Sequence, residues 1–106
     1  MSARVIIKTI PFFYQSASPV PANVNVLPTD YAPQLDYAIL KVFAAVNNAA
    51  TLYIVLNKQK LCLNACNQLT PNALYAFDVL ISKNDRINFQ LGAAANILLR
   101  MFEVTL

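Results

Sequence analysis

Between Leu52 and Leu91 apolar side chains recur at every second residue, in four runs separated by polar turns. Leu52, Ile54 and Leu56 alternate with Tyr53, Val55 and Asn57; Leu61 and Leu63 alternate with Lys60, Cys62 and Asn64. Tyr75, Phe77, Val79 and Ile81 share a face opposite Asp78, and Ile87, Phe89 and Leu91 alternate with Arg86, Asn88 and Gln90. A period of two puts every second residue on one side of a pleated chain, so each run reads as a strand with a buried face. The spacing predicts strands at Thr51–Asn57, Lys60–Asn64, Leu74–Ile81 and Arg86–Leu91. Lys58-Gln59 makes the first tight link. Lys83-Asn84-Asp85 makes another, with Asn84 the residue expected to take positive φ.

The flanks continue the pattern. Arg4–Phe13 reads as an opening strand that Pro11 confines to a sheet edge, and Ile97–Leu106 as a closing one. Leu35–Val46 alternates as a strand buried on both sides, although Asp36 and the alanines also suit a capped helix; we read a strand. Residues 15–34 differ in kind. Pro19, Pro21, Pro28 and Pro33 exclude a helix, leaving a long crossover or an arm laid on a neighbour, with a short edge strand at Asn23–Val26. The expectation is one domain over residues 1–106: an all-β antiparallel sandwich of jelly-roll type, with seven or eight strands.

Composition bears on what covers such a body. Hydrophobic residues make up 58% of the 106 and charged residues 12%, about half the usual charged share of roughly 25%. A small domain exposes much of its surface, and so few charges cannot cover it; the chain is expected to associate with copies of itself. Phe12, Phe13, Tyr14, Val24, Val26 and Tyr31, in and beside the proline-rich segment, are the candidate interface residues. Aromatic rings give large contact area at little entropic cost. Neither a membrane span nor a signal peptide is read: Asp36 and Lys41 interrupt the longest apolar stretch, and Lys8 and Pro11 interrupt the first.

Chemistry is sparse. The sequence holds no histidine, which removes Ser-His, Cys-His and His-metal arrangements. The five acids are scattered; a carboxylate pair would require Asp36 and Asp78 to approach across strands. One glycine cannot build a phosphate-cradling loop. Eight basic residues give a net charge of +3 without forming a run, so no nucleic-acid surface is expected. Cys62 and Cys66 read first as buried apolar thiols, with a local disulfide open to them if Asn64-Ala65 turns tightly. The chain is therefore read as non-enzymatic, without cofactor or metal.

Taken in order, LYIVLN, KLCLN, LTPNALYAFDVLI, SKNDRINFQL and ILLRMFEV resemble the small β-sandwich domains of virus particles, from capsid-decorating and turret proteins to spike and fibre heads. The resemblance covers about half the chain. It implies a structural virion component, trimeric or pentameric, packed against other virion proteins and made in a host cytoplasm. A receptor- or glycan-binding head is the first alternative, and an intracellular oligomeric protein-interaction domain the second.

Overall fold

The computed structural model describes residues 9–106, so Arg4–Lys8 of the expected opening strand lie outside the described residues. Among the described residues, eight antiparallel strands form a β-sandwich. They are β1 (Thr9–Gln15), β2 (Tyr37–Val46), β3 (Ala50–Leu56), β4 (Gln59–Cys62), β5 (Gln68–Leu69), β6 (Tyr75–Ser82), β7 (Ile87–Leu91) and β8 (Ile97–Thr105). Sheet I runs β1-β8-β2-β6. In sheet II, β3 is central, with β7 along one edge and β4 and β5 along the other.

Alternation decides which side chains meet between the sheets. From β2 come Ala38, Leu40, Val42, Ala44 and Val46, and from β8 come Ile97, Leu99 and Met101, all essentially inaccessible. Leu52, Ile54, Ile87, Phe89 and Leu91 answer them from sheet II. Strand β2 resolves the helix alternative at Leu35–Val46. It lies between β8 and β6, and only an extended chain brings five alternate side chains into the core there, a gain that outweighs the helix preference of its alanines.

The proline-rich segment is laid along β7 of its own chain. Val20 pairs with Ala95 and Tyr31 with Ile87 as isolated bridges, and between them Asn23 N donates to Leu91 O and Val26 N to Phe89 O, both at 2.8 Å. Asn88 extends the attachment: its Oδ1 accepts from Leu27 N at 2.9 Å, and its Nδ2 donates to Leu27 O and to Asp30. The far end is held by Glu103 of β8, which is fully buried. Its carboxylate accepts from Gln34 N at 2.9 Å, from Leu35 N at 3.0 Å and from the Tyr31 hydroxyl. Burial of a carboxylate is tolerable when donors surround it in this way. Burial, followed by the bond to Glu103, pushes the Tyr31 phenol well above its ordinary range.

Two local expectations fail at the turns. The first hairpin loop is Asn57-Lys58, one residue earlier than expected, with φ of 50° and 70°. Asparagine tolerates this left-handed region, and a two-residue loop with both φ positive matches the twist of the flanking strands. Asn84 is not among the residues with positive φ; its turn closes with Asp85 N on Ser82 O at 3.0 Å. Cys62 and Cys66 are exposed rather than buried, and they are bonded to each other. The tight turn at Asn64-Ala65, φ 55° and 52°, brings them together.

Candidate association surface

The outward face of sheet I is the most distinctive surface of the molecule. Strand register arranges its side chains in rows across four strands. Thr9, Val104, Ile39 and Leu80 form one, Pro11, Phe102, Lys41 and Asp78 the next, and Phe13, Arg100, Phe43 and Ala76 a third. Leu98 and Ala45 continue a fourth beside Gln15. Apolar side chains dominate this face because the outward positions of β2 and β8 are themselves largely apolar, in strands whose inward positions already fill the core.

Three rings bind the rows together. Phe102 packs edge-to-face against Phe13 at 5.5 Å and against Phe43 at 6.0 Å, linking β1, β8 and β2. The Arg100 guanidinium lies 5.7 Å from the Phe13 ring, a cation–π distance. Phe43, Leu74, Leu98, Arg100 and Phe102 line a shallow depression of about 440 Å³. Phe13, Leu74 and Leu80 are 61–69% exposed, which is unusual for side chains of this size grouped on one face. The ion pair on this face, Lys41 Nζ to Asp78 Oδ1 at 3.5 Å, is itself open to water and so adds about 0–1 kcal/mol to stability.

Sheet II presents a contrasting exterior. Lys60 Nζ sits 4.3 Å from the Tyr53 ring and donates to Asn23 Oδ1 at 2.9 Å, while Gln90 Nε2 donates to Asn25 Oδ1 at 2.9 Å. These groups satisfy one another and stay hydrated. At one end of the sandwich, Asp85 accepts from Asn57 Nδ2 and from Ser82 N, each at 2.8 Å; the Asn57 bond chiefly, then that from Ser82, holds its carboxyl below the usual range. Thr70 N donates to the Tyr75 hydroxyl at 2.9 Å, and this bond lowers that phenol's pKa.

Of the six candidate interface residues, Phe13 alone stands on the apolar face. Phe12 points inward and packs on Tyr31 at 5.0 Å, and Tyr14 is half-buried against the core. Val24 is exposed on the crossover, whereas Val26 and Tyr31 are buried within the subunit. Phe43 and Phe102 hold outward positions of β2 and β8, and a strand apolar on both sides reads from sequence simply as doubly buried. Leu80 lies on the Asp78 side of β6 and Leu74 just before that strand, where nothing in the sequence sets them apart. Asp36 and Asp78 do not converge. Asp78 faces Lys41, five residues along β2 from Asp36, a separation of about 17 Å at the rise of a strand. Among the described residues there is no group of three or more His, Cys, Asp or Glu able to hold a metal, and no helix long and apolar enough to cross a membrane.

No protein-family model matches the chain, and no curated protein matches it either. Among solved structures, the nucleoplasmin-like N-terminal domain of Drosophila FKBP39 superposes with a TM-score of 0.50, at 18% identity, over 92% of this chain and 91% of that one. The fold is nucleoplasmin-like. This likeness overturns the viral reading. The same sandwich stands in a non-viral insect protein, so the capsid, turret and spike- or fibre-head assignments, their virion, glycan and receptor partners, and a virion location are all withdrawn. The resemblance misled because its runs of alternating residues specify a half-buried sheet, which sandwiches of unrelated function share.

Proposed function

We propose that the chain is an intracellular, oligomeric protein-interaction domain of nucleoplasmin-like architecture, acting without catalysis and assembling through the outward face of sheet I. The observation that carries this reading is the asymmetry of the two exteriors: an apolar, aromatic-linked face on one sheet and, on the other, a more polar one whose Lys60, Gln90, Asn23 and Asn25 side chains bond one another, with Val24 exposed beside them. With strands about 4.8 Å apart and a rise of about 3.4 Å per residue, four strands of this length present roughly 20 by 25 Å, or about 500 Å² per subunit. Two such faces approach the ~1,000 Å² at which specific interfaces begin. Phe13 lies inside this contact, and we place exposed Val24, on the other sheet, at its margin or outside it. We also read the winding as a jelly roll: with the crossover counted as the second strand, the sheets run 1-8-3-6 and 2-7-4-5.

Sedimentation velocity across the micromolar range tests the reading. The unaltered chain is expected to sediment as an oligomer. Phe43→Lys and Leu80→Lys, each placing a charge on the face, are expected to shift it to monomer while the far-UV spectrum stays unchanged. A chain that is monomeric at every concentration, or variants that assemble as before, would refute it.

A further inference from the structure

Strands β4 and β5 are one edge strand interrupted. Tyr53 pairs with Cys62, and Leu63 N donates to Leu52 O at 2.9 Å, but two positions beyond Tyr53 the partner of Thr51 is Gln68 where an unbroken ladder would place Asn64. The register has moved by four residues, which loop out. Cys62 and Cys66 are also four apart, and their Cα atoms are 4.9 Å from each other, against about 13 Å for four extended residues. Their bond thus closes the neck of the bulge. Inside it Asn64, Ala65 and Cys66 stand in succession at φ of 55°, 52° and 63°, a left-handed run that residues with a Cβ disfavour. Both cysteines are exposed residues, and thiol attack requires such access.

An even shift preserves which side chains face inward. The bulged register buries Leu69 completely against the core; an unbroken strand would place Ala65 at the same position. Both registers therefore satisfy the pleat, and they differ in whether the bulge is pinched out.

We propose that Cys62 and Cys66 are a reversible thiol–disulfide site whose bond holds the β4–β5 bulge, and whose reduction frees this edge strand to open towards the unbroken register. In reduction, a small monothiolate attacks one protein sulfur, forms a mixed disulfide and expels the other as a thiolate, which takes up a proton. A second monothiol then attacks the mixed disulfide, leaving two protein thiols and one small disulfide; oxidation by that small disulfide runs the same exchange in reverse. The site lies on sheet II, so it is independent of the association proposed for sheet I.

The test uses the oxidised chain under native conditions. Reduced glutathione at neutral pH, followed by iodoacetamide, is expected to add two carbamidomethyl groups, one on each cysteine. Amide exchange over Ala50–Thr51 and Gln68–Leu69 is then expected to quicken by about tenfold or more, with β2 and β8 unchanged, and glutathione disulfide is expected to reverse it. The double variant Cys62→Ser, Cys66→Ser is expected to match the reduced pattern; should it not fold, the exchange of the unaltered chain decides. Alkylation only after denaturation, equal exchange in both redox states, or acceleration spread equally over β2 and β8 would each overturn the proposal.

Discussion

Removing the Tyr31 hydroxyl tests how the long crossover is held down. Tyr31→Phe deletes one donor to the buried Glu103 carboxylate and leaves the Gln34 and Leu35 amides in place. A hydrogen bond to a charged group contributes about 1.5–3 kcal/mol, so unfolding in urea should shift by about 1–2 M for a domain of this size. Glu103→Gln keeps one oxygen for the amides but loses the charge, so the same tyrosine substitution should cost less in that background. We expect a coupling of about 1–2 kcal/mol in the four-member cycle. The pH dependence has a definite sign. The folded-state pKa of Tyr31 is raised above its ordinary value of 10.0, by burial first and by Glu103 second. The native state therefore holds the phenolic proton more tightly than the unfolded state. This contribution is complete below pH 10 and is lost as pH rises beyond it. Tyr31→Phe should flatten that alkaline limb. A coupling below about 0.5 kcal/mol, the scatter of independent sites, or an alkaline limb unchanged in Tyr31→Phe would refute the account of Glu103 as the anchor.

Lys58→Gly creates an Asn-Gly hairpin at two positions of positive φ; relief of about 1–2 kcal/mol of left-handed strain, offset by about 0.5–1 kcal/mol for the freedom glycine adds to the unfolded chain, should leave the chain more stable in urea titrations, and a loss would mean that the Lys58 side chain matters. Asp85 has its pKa lowered by Asn57 and Ser82, so its contribution is present above the ordinary carboxylate range and fades as pH falls below it. Asp85→Asn should remove that part of the acid dependence in thermal melts between pH 2 and 6, by a small amount because the group is solvated. Leu40→Ala, at a fully buried position in β2, should cost about 2–5 kcal/mol by calorimetry; a much smaller loss would indicate a core that collapses around the gap.

Much of the sandwich was legible in the alternation. The long runs at Leu52–Leu56, Tyr75–Ile81 and Ile87–Leu91 carry period-two signals that few other structures accommodate, and they appear as strands within a residue or two. Short elements carried no such signal. Strand β5 has two residues and exists because β3 offers it an edge. The hairpin loop fell one residue away from its expected place, since Asn57 and Lys58 are told from Lys58 and Gln59 only by the register they must satisfy. Tyr31 and Val26 read as surface residues because prolines surround them, yet their backbone bonds to β7 and Glu103 of β8 holds the segment's far end.

The amino-acid order by itself determined that this chain forms half-buried strands, holds no histidine, and carries about half the usual share of charge. Those properties follow from local periodicity and side-chain type. Only the tertiary structure decided which apolar residues became core and which became the exterior of sheet I, since β2 and β8 are apolar on both sides and pairing alone selects the inward one. It also decided that Glu103 anchors rather than reacts, and that the two cysteines bond, because both depend on residues distant in sequence or on a backbone turn that the spacing left open.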